Sequence, residues 1–275
     1  MKRTWRQVLF GKRKVSWKAR LLFWGAFFGV LATAYYWQPQ RFEFFPPEAP
    51  KLARVMPEEL GLFRTGVRVL IVTGHPDDSE FYSGGTLLTL AESGAMLRLV
   101  AMTDGDKSYY PFNLEGDLRE TRREEQRQAA AKWKGDVVFL GYMDGRLPVN
   151  DDTVSDLLHV IEEFKPDIVM TQDVLFRPRT THSDHIDAGR NTLRALEKWG
   201  QPCWVMLYNT RAPDLYVEIE KHWFGKQELI QLHKSQFFGD RLYWVNTFLS
   251  ERAVKTGEAV GQGMSESYRA YKFQP

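Results

Sequence analysis

Val67-Arg68-Val69-Leu70-Ile71-Val72-Thr73-Gly74-His75-Pro76-Asp77-Asp78-Ser79-Glu80 is the stretch whose reading decides the fold. Its first seven residues form a short apolar run closed by glycine, the pattern of a buried strand. The next seven change character at once, with a histidine, a stiffening proline and two carboxylates packed into four positions. Outward from there the same alternation repeats. Residues 84–93 read as a helix, 97–103 as a strand and 118–134 as a charged helix. Residues 137–140, 168–171 and 204–208 read as further strands, with helices at 154–164 and 186–198 between them. This rhythm predicts an α/β fold with a Rossmann-like, mostly parallel sheet and helices on both faces. Ligands bind such sheets beyond the carboxyl ends of the strands, near the point where the strand order reverses. Chemistry therefore belongs in the loops that follow strands.

Two such loops carry acid–histidine clusters. In the first, His75 and Asp78 could converge on one metal ion while Asp77 points elsewhere, since imidazole nitrogen and carboxylate oxygen both ligate zinc. The same residues would also suit a solvated turn capping the next helix. The second cluster is Thr181-His182-Ser183-Asp184-His185, where two histidines three residues apart could face one direction at a helix start. It too could be an ordinary helix N-terminus, with Ser183 or Asp184 as cap. Two clusters, each placed after a strand, favour a metal site over coincidence. A Gly-x-Gly-x-x-Gly turn is absent after the first strand, which argues against a nucleotide-binding Rossmann protein.

These residues resemble the PIG-L/LmbE family of zinc-dependent N-acetylglucosaminyl deacetylases, marked by a His-Pro-Asp-Asp turn and a later His-Pro-Asp-His. The likeness runs over about residues 67–270. It takes in Arg122-Arg123-Glu124-Glu125, the run Phe139-Leu140-Gly141-Tyr142-Met143-Asp144-Gly145-Arg146-Leu147, and His233-Lys234-Ser235-Gln236. The resemblance implies His75, Asp78 and His185 as metal ligands, Asp77 as general base, and His182 as the group that polarises the carbonyl or protonates the leaving amine. It implies that Asp144 lines the substrate pocket, that Arg122 has a substrate or structural role, and that His233 supports the site from a distance. Read without it, Asp144-Gly145 is a tight turn and Arg122 with Glu125 is a surface pair. Ser183 stands where the family has proline, and Thr180 or Thr181 where some members place an assisting tyrosine. The implied reaction is hydrolysis of the N-acetyl amide of a GlcNAc-containing conjugate, with Zn2+ as cofactor. Other acyl amides remain open as substrates, as does a catalytically silent glycan-binding module. A His, Asp, His set also accepts iron, cobalt or manganese.

The first twenty residues hold eight basic side chains, from Lys2 to Arg20, and the first acid is Glu43. Eight exceeds the surplus of +2 over all 275 residues. The remainder is therefore acidic, which argues against a nucleic-acid binder. Residues 21–37 are uncharged, the short end of what spans a bilayer, and close on Tyr35-Tyr36-Trp37. These features predict a basic cytoplasmic segment (1–20), a transmembrane signal-anchor (21–37), a Pro-rich tether (38–65) and a catalytic domain (66–275) across the cell membrane. A cleavable signal peptide ending at Ala32-Thr33-Ala34 is the rival reading. Cys203, the single cysteine, sits in an apolar run and reads as a core residue. Residues 104–116, with Tyr109, Tyr110 and Phe112, read as a lid. Tyr216, Trp223 and Phe224 are further aromatics able to stack on sugar rings.

Overall fold

The computed structural model describes residues 54–108 and 117–275, together with Trp24. The basic segment 1–20, the anchor as a span, the tether up to residue 53 and the aromatics of the lid lie outside the described residues. Among the described residues, no helix is long and apolar enough to cross a membrane.

Seven strands form one sheet in the order β3-β2-β1-β4-β5-β7-β6. Strands β1 (Arg68–Thr73), β2 (Met96–Thr103), β3 (Asp136–Tyr142), β4 (Ile168–Gln172) and β5 (Cys203–Tyr208) pair in parallel. Strands β6 (Leu215–Glu218) and β7 (Ser265–Phe273) extend the sheet antiparallel beyond β5. The helices are α1 (Asp78–Ser93), α2 (Leu118–Lys132), α3 (Asp151–Phe164), α4 (Ser183–Trp199), α5 (Trp223–Leu232) and α6 (Gly239–Glu258).

Successive side chains of a strand point to opposite faces, and β1 shows why both faces need cover. Val69 and Ile71 join one core with Leu87 and Leu90 of α1, Ala129 and Ala130 of α2, and Leu229 and Ile230 of α5. Leu70 and Val72 join the other, with Val154 and Leu157 of α3 and Ala188 and Leu196 of α4. Cys203 lies in that second core, and burial pushes its thiol up to about 12, as suits an inert packing residue.

Two expectations are corrected. Helix α1 begins at Asp78 and not at residue 84, so the His-Pro-Asp-Asp turn runs straight into the helix. Residues 54–65 belong to the domain: Leu60 and Leu62 are buried, and the Val55 amide donates to the Asp214 carbonyl at 3.0 Å. The elements after residue 208, two strands and two long helices, went unread in the sequence.

The antiparallel extension is fastened to the parallel sheet by a buried ionic cluster. Glu266 on β7 accepts from the Gly85 amide (3.1 Å), from the Thr86 amide (2.8 Å) and from its hydroxyl (2.6 Å). Lys226 Nζ of α5 donates to the same carboxylate at 2.5 Å, as does the Tyr268 hydroxyl at 3.2 Å.

Candidate metal centre and active site

Four loops at the carboxyl ends of β1 to β4 meet where the order reverses, because β1 passes to β2 on one side and borders β4 on the other. The first loop starts at Gly74, where an added Cβ would stand 3.0 Å from the His185 ring and 3.1 Å from the Asp184 carbonyl carbon. A side chain here would push the start of α4 back by a few tenths of an ångström, so glycine keeps the end of β1 this close to it. That contact joins the two acid–histidine clusters, 110 residues apart in sequence.

Their ligating atoms converge. His75 Nδ1 lies 3.0 Å from His185 Nε2, and His185 Nε2 lies 3.1 Å from Asp78 Oδ1. Asp78 Oδ2 is 3.8 Å from His75 Nδ1 and accepts from the His75 amide at 2.9 Å. Ligand atoms held at about 2.0–2.2 Å in a tetrahedron stand about 3.4 Å from one another, so these separations match a shared ion. His182 also brings a ring nitrogen within 4.8 Å of those of His75 and His185. Its Nδ1, however, accepts from the Asp184 amide at 3.2 Å and caps α4. That capping bond points Nδ1 at the backbone and leaves Nε2 as the donor of the neutral ring. Burial, then His75 and His185, hold the His182 pKa below its ordinary value, which favours that neutral form.

The opposite edge of His75 meets two more carboxylates. Its Nε2 is 3.1 Å from Asp144 Oδ1 and 3.4 Å from Asp184 Oδ2. His75, Asp144 and Asp184 could themselves group around a cation. Both acids are already engaged by backbone, though. Asp144 accepts from the Lys107 amide at 2.8 Å, and Asp184 from the amides of Gly145 (2.6 Å) and Leu147 (3.3 Å). We therefore read them as the partners that fix the ring and its tautomer, keeping the proton on Nε2 and the lone pair on Nδ1. Burial alone would lower the His75 pKa, but Asp144, Asp184 and Asp78 outweigh it and push it up to about 10. Burial would raise the Asp78 carboxyl, yet His185 and His75 hold it down at about 2. Such a nest of carboxylates around a ligand histidine attracts positive charge, and a divalent cation fits the donor set.

Asp77 stands apart from this set. It is the N-cap of α1, yet its side chain makes no capping bond, so the alternative reading as a plain cap fails. Its φ of 97° lies in the left-handed region that non-glycine residues avoid. Arg122 holds the kink: its Nη2 donates to the Pro76 carbonyl (2.5 Å) and to Asp77 Oδ2 (3.1 Å), and its Nη1 donates to the Gly105 carbonyl (2.8 Å). Burial raises the Asp77 pKa despite the nearby guanidinium. Arg122 and Glu125 are thus no surface pair. Both are buried, and Glu125 accepts from the Ser235 amide (2.7 Å) and hydroxyl (2.6 Å).

Behind the turn lies a network that the sequence did not disclose. The Asp77 amide donates to Gln126 Oε1 at 2.9 Å, and Gln126 Nε2 donates to Glu80 Oε1 at 3.0 Å. Glu80 also takes the Trp133 indole N–H (2.9 Å) and pairs with His233 at 3.2 Å. His233 therefore supports the turn from within the core. A cavity of about 550 Å³ opens over the centre, lined by His75, Asp77, Asp78, Arg122, Asp144, His182 and His185. Tyr216, Trp223 and Phe224 do not line it.

The sequence model described as PIG-L, GlcNAc-PI de-N-acetylase, matches residues 70–196, which include both clusters. Diacetylchitobiose deacetylase of Thermococcus kodakarensis is 26% identical over 220 residues, 74% of this chain and 82% of that protein. The 1D-myo-inositol 2-acetamido-2-deoxy-alpha-D-glucopyranoside deacetylase of Thermobifida fusca is 31% identical over 162 residues, 49% of this chain and 56% of its own length. Among solved structures, N,N'-diacetylchitobiose deacetylase from Pyrococcus horikoshii, complexed with its inhibitor MPG, superposes with a TM-score of 0.70. The match covers 94% of each chain at 23% identity, a likeness of fold.

Proposed function

We propose that this chain, whose residues 70–196 match the PIG-L model, hydrolyses the N-acetyl amide of a GlcNAc-containing glycan, glycolipid or related conjugate, releasing acetate and a free amine. The observation that carries the proposal is one juxtaposition. His75, Asp78 and His185 converge as a ligand set, while Asp77, beside a ligand in sequence, stays outside it with a raised pKa. Relatives that act on diacetylchitobiose and on a GlcNAc–inositol conjugate support the substrate class.

His75, Asp78 and His185 would hold the ion, which we take to be zinc from its preference for nitrogen and oxygen donors. When bound, it would polarise the acetyl carbonyl and acidify a water molecule to a pKa of about 7. Asp77, held by Arg122, accepts the proton of the attacking water, a task its raised pKa suits. His182 Nε2–H hydrogen-bonds the developing oxyanion and polarises the carbonyl, and the proton that Asp77 takes from the water passes on to the departing nitrogen. Asp144 and Asp184 keep the His75 ring oriented. Arg122 acts through Asp77 and the turn, with its guanidinium at the pocket wall.

We further place the domain on the outer side of the cell membrane, anchored by residues 21–37 with the basic N-terminus in the cytoplasm. The charge bias and the uncharged run support that placement. The test is metal analysis and acetate release on the purified full chain. About one divalent metal per chain, with acetate released from an N-acetylglucosamine conjugate and lost on chelation, is expected. Bound metal without acetate release from N-acetylhexosamine conjugates would sink the proposed reaction.

A further inference from the structure

The metal pocket does not end at the histidines. A second cavity, of about 330 Å³, shares His182 and His185 as a wall with the first and is otherwise bounded by Phe81, Tyr82, Thr180, Thr181, Phe248 and Arg252. Tyr82 lies between chemistry and charge: its ring centroid is 6.2 Å from that of His185 and 5.8 Å from Arg252 Cζ. A third cavity, of about 410 Å³, shares Phe248 and Arg252 with it.

Arg252 is the unusual member of this wall. It is half-buried on α6, packed over Tyr82, and has no carboxylate partner among the described residues. Its neighbour Glu251 is 3.8 Å from Lys255 instead. Half-buried arginines ordinarily find a carboxylate or phosphate that matches their planar fork. Arg252 lines three cavities, one of which shares His182 and His185 with the metal centre and another of which holds the Lys226–Glu266 pair. The aromatic side chains around it supply flat apolar faces, and the carboxylates that share its cavities, Glu251 and Glu266, are engaged by Lys255 and Lys226.

We infer that Arg252, flanked by Tyr82 and Phe248, is a subsite for an anionic group on the part of the substrate beyond the N-acetylated sugar, a phosphate or a carboxylate. This rests on the proposed reaction only for which end of the substrate lies at the metal. With the acetamide at His75, Asp78 and His185, the remainder of the conjugate leads past His182 into the second cavity. The favoured substrates are then acidic conjugates of N-acetylglucosamine, and a neutral glycan is the poorer ligand.

The experiment is equilibrium titration of the metal-loaded, detergent-solubilised full chain in an Asp77→Asn background, so that turnover does not interfere. Three probes are compared: N-acetylglucosamine 1-phosphate, the N-acetylglucosamine glycoside of a hydroxy acid, and methyl N-acetylglucosaminide. An anionic probe should bind about ten- to hundredfold tighter than the methyl glycoside, the range for hydrogen bonds to a charged group. That ratio should collapse toward one in Arg252→Ala, be largely kept in Arg252→Lys, and shrink with added salt. Whichever anionic probe gains more identifies the group. A ratio near one in the parent protein overturns the inference. So does a preference that survives Arg252→Ala, which would assign it to the metal centre. Acetate release is followed in parallel with Asp77 intact. If no probe releases acetate while the Arg252-dependent preference holds, the proposed reaction falls and the subsite stands.

Discussion

Two of the buried ionic clusters in this domain, one around Glu266 and one around His75, differ in how fully they are satisfied. Around Glu266, every neighbour is a donor: two backbone amides, two hydroxyls and the Lys226 ammonium. Around His75 the balance is reversed. Three carboxylates crowd one imidazole, and two ring nitrogens face each other at 3.0 Å. Burying charge is expensive unless its partners are complete. The first cluster is complete within the chain and so joins β7, α5 and α1. The second holds more acceptors than donors, an arrangement that a bound divalent cation would complete.

That contrast can be broken by mutation. The largest effect should come from His185→Ala, expected to lose both bound metal and measurable acetate release, with metal content as the readout. If the variant kept its metal, the ligand set would have to be redrawn around His182. Asp77→Asn should follow, lowering kcat about 10²- to 10⁴-fold, the usual range for a general base, while metal content stays near that of the parent. Lys226→Met should do the opposite. It leaves Glu266 buried without its cation and should destabilise the fold by about 3–5 kcal/mol. Chemical denaturation should show this, with kcat of the folded fraction close to that of the parent. A catalytic defect there as large as that of Asp77→Asn would erase the distinction between the clusters. The mildest change is Asp144→Ala, expected to weaken metal binding about 10- to 100-fold, the usual cost of losing a ligand's orienting partner.

The parallel half of the sheet was legible because β1, β2, β4 and β5 are buried on both faces and read as continuous apolar runs. The antiparallel addition was not. Ser265–Phe273 opens on three polar residues and carries Arg269 and Lys272, so no apolar run marks it, and α6 blurs its own pattern by exposing Tyr243, Trp244 and Phe248. At the site, the two clusters were legible because each is compact in sequence. Asp184 read as a helix cap, since its true partners, the Gly145 and Leu147 amides, lie 39 and 37 residues away. Glu80, Gln126 and Trp133 were missed for the same reason. Their bonds span 46 and 53 residues and leave no local spacing to find. His233 was picked out only by resemblance, and its pairing with Glu80 supplies the physical reason.

The left-handed backbone at Asp77 sets two kinds of selection against each other. Strain of this sort costs about 1–3 kcal/mol, and glycine, free of a Cβ, relieves it. Glycine at 77 would, however, also leave the buried Arg122 guanidinium without its carboxylate, so a screen for heat resistance alone weighs relief of the kink against loss of that pair. A screen that also demanded acetate release should hold the aspartate in place. The residue found at 77 under each regime would record which of these pulls is the stronger.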